Sequence, residues 1–281
     1  MSRGVMWRLL VSSSLLLSCG PAADGSVRFS VWAEERVERG YPASLLADRW
    51  AITFERYLVS VGEVTLSRDG EVLTSPRRVV VDVQKGRQPS HSFDAVPAGR
   101  WNVGFVVEPP SENTEAVGSV TPDDVARMRS EGWSYWLVGR ATKTGVGTFP
   151  FSIGFPVNAR ATECTNGVDG TLGIIVGDGR ATDAELTIHA EHMLYDRLGT
   201  HRDVQLRFDA WTIDDDITRA TLQRQQLLSL QGRDGGALVD EAGMPVVYQP
   251  GSYAVDTLDA FVIQSLKDQV HLNGGGLCRV Q

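Results

Sequence analysis

Short stretches of strict apolar–polar alternation recur along this chain, and a sequence patterned at period two is committed to β-sheet rather than to a helical core. Residues 27–32 place Val27, Phe29 and Val31 on one face, and Trp50, Ile52 and Phe54 repeat the pattern after Tyr41-Pro42-Ala43 interrupts it. Tyr57, Val59 and Val61 then resume on the opposite parity, and Val64 and Leu66 change parity again beyond Gly62. Such slips predict a bulged or bent strand. Arg68-Asp69-Gly70 supplies a hairpin turn. Further strand candidates are residues 79–83, 101–107, 133–142, 149–155, 173–176 and 184–189. The expected fold class is mainly β, a β-sandwich with helical insertions.

Three segments break the period. Thr121-Pro122-Asp123-Asp124 combines a capping Thr, a Pro at the first helical position and two carboxylates at the positive end of the dipole, and Gly132 closes the helix. Residues 217–230 read as a second helix capped by Thr218 and carrying Leu222, Leu227, Leu228 and Leu230. Residues 256–271 read as a third, with Leu258, Phe261, Val262, Leu266 and Val270 near helical spacing. With 42% hydrophobic residues and no repeat or low-complexity tract, residues 27–281 are expected to form one domain, with a partly helical C-terminal elaboration from about 197.

The N-terminus carries an address. Arg3 and Arg8 precede an apolar stretch that ends in Leu16-Leu17-Ser18-Cys19, which resembles a bacterial lipoprotein signal peptide. The resemblance implies cleavage after residue 18, acylation of Cys19 with palmitate as one of the chains, and residues 19–26 as a tether. The mature protein is then expected in the cell envelope, held by its lipid on a bacterial membrane, the outer membrane on its periplasmic or surface face. The remaining cysteines, Cys164 and Cys278, both lie in loop-forming sequence, and an even pair in an oxidising compartment predicts one disulfide. The net charge of −8, with no basic patch, argues against nucleic acid as a partner.

Candidate chemistry concentrates in Thr187-Ile188-His189-Ala190-Glu191-His192. If a strand ends near His189 and a helical turn begins there, His189 and His192 share a face at i, i+3 and can present two imidazole nitrogens to one ion. Glu191 and Asp196 are further candidate ligands or orienting partners, and His91 is a candidate ligand from a loop. The alternative is that these histidines merely finish a strand and cap a turn. The spacing is not H-E-x-x-H, so metalloprotease chemistry is not indicated. Residues 209–218 superficially resemble the approach to an EF-hand helix but fail at most ligand positions, so calcium is not expected. No nucleophile elbow, phosphate loop or dinucleotide fingerprint is present, and no enzyme activity is expected.

A broader likeness rests on residues 50–66, on Met128-Arg129-Ser130-Glu131-Gly132-Trp133-Ser134-Tyr135-Trp136, on Phe149-Pro150-Phe151-Ser152-Ile153-Gly154, on Cys164 and on residues 184–189. Their order resembles the MbnP-like copper-binding proteins of the metallo-mystery pair group. That resemblance implies a secreted sandwich protein, copper as the bound metal, and a redox partner of the di-haem peroxidase kind. It also makes Trp50, Trp133 and Trp136 candidates for oxidation to kynurenine. The chain departs from the family by placing Ser152 where a His is usual and by having no His in residues 27–32, so a copper site here would be its own, at His189 and His192. The leading expectation is therefore an envelope lipoprotein that binds a transition metal, copper foremost, without turnover. A metal-free structural or interaction module is the alternative, and a hydrolase with an unrecognised site ranks third.

Overall fold

The long strand that the parity slips predict is the spine of the molecule. The computed structural model describes residues 23–199 and 202–281, so the signal-peptide region and Cys19 lie outside the described residues. β1 (Gly25–Ala33) leads through α1 (Glu35–Arg39) to β2 (Ala51–Arg68), whose pairing register shifts between Phe54 and Arg56 and again between Val61 and Val64. Each slip lets β2 turn a new set of side chains inward as it bends across the core. The strands β3 (Glu71–Ser75), β4 (Val79–Asp82), β5 (Gln88–Val96), β6 (Gly99–Val107) and β7 (Glu115–Ala116) precede α2 (Pro122–Glu131). Next come β8 (Tyr135–Lys143), β9 (Gly147–Phe155), β10 (Ala159–Thr162), β11 (Ile174–Val176) and β12 (Ala181–Ile188). The C-terminal third adds α3 (Arg219–Arg224), α4 (Leu258–Lys267), β13 (Val270–Leu272) and β14 (Arg279–Val280).

Two sheets result, as the alternation requires. One is four-stranded in the order β13-β12-β1-β5; the other is ten-stranded and built around β2. The mainly β, sandwich-like expectation is met. The helix at 121–132 also forms as its sequence dictates. Thr121 Oγ1 accepts from the Asp124 backbone N–H, the Asp124 carboxylate accepts from the Thr121 N–H at 2.8 Å, and Gly132 closes the helix at φ 68°.

The two later helices are shorter than predicted, and the reasons are local. α3 stops at Arg224 because the buried Gln225 amide donates to the Ala210 and Gln231 carbonyls and accepts from the Gln231 N–H. Those bonds fix a non-helical path, leaving Leu228 fully exposed while Leu227 and Leu230 turn inward. α4 begins at its Thr257 cap but ends before the predicted 271, because Val270, His271 and Leu272 pair as β13 along the edge of β12. An apolar strand edge takes precedence over weak helical periodicity.

The disulfide prediction holds: Cys164 and Cys278 are bonded, S–S 2.06 Å, closing a separation of 114 residues. The segment after 197 packs into the same hydrophobic cluster as the sheets. Phe208 stacks on Trp211 at 5.0 Å between centroids, and these rings meet Trp50, Phe151 and Phe155. Carboxylates of the acidic segment 209–216 face cations: Asp209 meets Lys143 at 2.9 Å, Asp214 meets Arg224, and Asp215 meets Arg233.

Candidate metal centre

β1 and β12 run parallel with Ala33 opposite Ile188, so the first residues beyond the two strands, Glu34 and His189, emerge side by side. Two backbone bonds seal that end of the sheet: Glu34 N–H donates to Ile188 C=O at 3.3 Å, and His189 N–H donates to Gln269 C=O at 2.8 Å. A 3-10 turn over Ala190–Leu194 then brings Glu191 back to the Nδ1 edge of His189.

Three side chains converge here. His189 Nδ1 lies 2.9 Å from Glu34 Oε1 and 3.2 Å from Glu191 Oε1, and one ligand atom from each residue falls within 4.8 Å of the others. His189 Nε2–H donates to the Gly274 carbonyl at 3.1 Å. That carbonyl is aimed by a left-handed turn, Asn273 at φ 50° and Gly274 at φ 84°, whose Gly274 N–H is anchored on Thr187 Oγ1 at 2.8 Å. The geometry leaves Nδ1 as the nitrogen that meets the carboxylates.

The electrostatics follow from this geometry. Burial works to lower the His189 pKa, but hydrogen bonds to Glu191, Glu34 and the Gly274 carbonyl overcome it and raise the value to about 10. Glu34 is held below the ordinary carboxylate range, chiefly by its hydrogen bond to His189. Glu191, deeper in the fold, is pushed up by burial and by the neighbouring Glu34. Its second oxygen, Oε2, is buried with no hydrogen-bond partner among the described residues. Burial also raises the Tyr41 phenol, with Glu191 adding to the shift.

The sequence anticipated part of this group. His189 and Glu191 are brought together as expected. His192 stands beside them, its ring 5.8 Å from that of His189 and tilted against Tyr195 at 4.9 Å, but it is not one of the three converging ligands. His91 does not complete the site. It sits on β5, which flanks β1 on the side away from β12, and its Nε2–H donates to the Arg77 carbonyl at 2.8 Å. Its burial lowers its pKa. Glu34 was missed because only the parallel register of β1 and β12, which no local pattern encodes, makes it a neighbour of His189. His271, expected in a helix, lies on β13 instead, with its ring 4.3 Å from that of His189.

Of the tryptophans, Trp50 is packed between Phe149 and Phe208, and its Nε1–H donates to Asp209. Trp136 donates its Nε1–H at 2.9 Å to Ser152, the residue at the position where the copper-binding family carries His. No protein-family model, curated protein or solved structure matches this chain.

Proposed function

We propose that the protein is a lipid-anchored cell-envelope protein that holds one divalent transition-metal ion at Glu34, His189 and Glu191 and turns over no substrate. The observation that carries this reading is the convergence of one imidazole nitrogen and two carboxylates within 4.8 Å where the parallel strands β1 and β12 end. The buried Glu191 Oε2 without a partner adds to it, since an oxygen of that kind is commonly satisfied by an ion or water. The Gly274 carbonyl supplies the outer contact that metal-bound histidines generally have, fixing which nitrogen faces the ion.

One nitrogen and two carboxylate oxygens form a borderline-hard donor set with no thiolate or thioether. It suits Zn(II) or Cu(II) and disfavours Cu(I). Copper therefore enters this reading as the divalent ion. Two carboxylates neutralise a divalent charge, and loading must displace the proton from His189 Nδ1, so affinity rises with pH. The Leu16-Leu17-Ser18-Cys19 sequence supports membrane anchoring through Cys19, and a redox protein is the partner the family resemblance suggests.

A second reading, the metal-free interaction module, is favoured by one specific observation. Both His189 ring nitrogens already have protein partners, so a proton alone satisfies the imidazole. Equilibrium dialysis against Zn(II) and Cu(II), for the wild type and for Glu34→Gln/Glu191→Gln, separates the two. One equivalent bound by the wild type and lost in the variant supports the metal site; no binding by the folded wild type favours the module.

A further inference from the structure

Four large apolar side chains stand exposed around the disulfide-closed loop: Val168 at 82%, Leu172 at 40%, Ile175 at 55% and Leu277 at 47%. Backbone contacts gather them. Ile175 is the outward residue of β11, between Ile174 and Val176 in the core, and its carbonyl accepts from Thr182 Oγ1 at 3.3 Å. Leu172 pairs with Thr165, whose N–H and hydroxyl both donate to the Leu277 carbonyl, at 2.8 and 3.1 Å. Val168 lines a hollow with Asp183 and Glu185, so it and Ile175 both flank the first half of β12. A cation borders the group: Arg100 stands opposite Ile175 on β6 and donates to Thr171 Oγ1 at 2.6 Å and to the Leu172 carbonyl at 2.8 Å. Single exposed apolar residues are ordinary, but a gathered set edged by Arg is the composition of a surface that meets lipid.

The position of Ala23 says what covers this patch. Its N–H donates to Asp178 Oδ1 at 2.5 Å and its carbonyl accepts from the Gly179 N–H at 3.0 Å, which pins it to the turn between β11 and β12. Only Gly20, Pro21 and Ala22 separate it from Cys19, so an acylated Cys19 lies at most about 14 Å from Ala23. The headgroup layer is about 5–8 Å deep, so that reach keeps the turn, and the loop that runs into it, against the membrane surface. We propose that Val168, Leu172, Ile175 and Leu277 rest on the bilayer that takes the Cys19 lipid, with Arg100 at the level of the phosphates. The inference rests on the membrane-anchoring part of the reading above, not on its metal, and deepens it. β1 runs from this end of the sheet, at Gly25, to Ala33, so the candidate metal centre stands about 26 Å along the strand from the anchoring turn.

The test maps which side chains touch lipid. Full-length acylated protein, carbon-13 labelled at its Ile, Leu and Val methyls, is placed in nanodiscs of phosphatidylethanolamine and phosphatidylglycerol that carry a doxyl-labelled phosphatidylcholine. Methyl signals of Val168, Leu172, Ile175 and Leu277 are expected to broaden at least ~10-fold more than those of Leu228 and Val247, which are exposed on the C-terminal segment. Leu172→Glu/Ile175→Glu, at two positions open to solvent, should remove the broadening at Val168 and Leu277 while the acylated chain stays with the discs. Broadening no greater at the patch than at Leu228 overturns the inference. Patch signals that shift with protein concentration but ignore the doxyl lipid overturn it in favour of two copies pairing through this face. Both of those results leave the anchor standing. A full-length chain that takes up no labelled palmitate and stays out of the discs overturns the inference together with the anchoring beneath it. The wild-type comparison does not depend on whether the variant folds.

Discussion

Replacing His189 by Gln in metal-free protein removes the cation that two carboxylates share and leaves those carboxylates facing each other. With His189 Nδ1 at 2.9 Å from Glu34 and 3.2 Å from Glu191, each attraction is about 5–6 kcal/mol at an effective dielectric constant near 20. Desolvation cancels much of that gain. A folded-state pKa of about 10 against about 6.5 unfolded sets an upper bound near 5 kcal/mol for what the proton contributes. Removing one partner of such a group costs about 3–5 kcal/mol, so His189→Gln is expected to lose that much near pH 7.5. The sign on each side of neutrality differs in cause. Because His189 is raised, its contribution in the wild type is fully present below about pH 6.5 and fades as pH climbs through 10. In the variant one carboxyl takes up a proton as pH falls, relieving the repulsion, so the gap narrows to about 1 kcal/mol below pH 5. Urea unfolding in chelator, followed by tryptophan fluorescence from pH 4.5 to 10, should give a gap that peaks near neutrality. A difference under ~1 kcal/mol at pH 7.5, or one flat across that range, would refute the shared-proton account.

Reducing the Cys164–Cys278 disulfide, or replacing both cysteines by Ser, releases a 114-residue separation and should cost about 2–5 kcal/mol, lowering Tm by about 5–15 °C in a thermal melt. Thr121→Ala removes the cap of α2 and should cost about 1 kcal/mol, read as a shift in the urea midpoint with unchanged slope. Asp124 is held far below the ordinary carboxylate range, first by its fork to Arg56 at 2.7 and 2.8 Å and, against burial, by Thr121. Its depressed pKa stabilises the fold above about pH 4 and is lost as pH falls below that value, so Asp124→Asn should flatten the acid limb of the stability profile. Cys19→Ser should abolish incorporation of labelled palmitate and move the chain from the membrane fraction to the soluble one.

What the sequence made legible follows from how local the determining physics is. The sheet strands announce themselves by period two, the bends of β2 by parity slips at Phe54–Arg56 and Val61–Val64, and α2 by a cap written in four consecutive residues. The disulfide needed only an even pair of cysteines. The ends of α3 and α4 were misread because what stops them is not local: a buried Gln225 amide bonded fifteen residues away to Ala210, and an edge of β12 waiting for Val270–Leu272. The same limit divides the site. His189 and Glu191 are close in sequence and were found together, while Glu34 reaches them only through the pairing of β1 with β12. His91 had the right chemistry on the wrong strand.

Whether the group at the end of β1 and β12 holds an ion is open to direct measurement. Isothermal titration of Zn(II) and Cu(II) into residues 20–281 at pH 7.5, in two buffers of different ionisation enthalpy, measures stoichiometry and protons released together. One ion per chain, with about one proton expelled from His189 and binding lost in Glu34→Gln/Glu191→Gln, is the predicted result. A folded protein that takes up neither ion would contradict it and leave His189 as the proton-filled centre of a structural ion cluster.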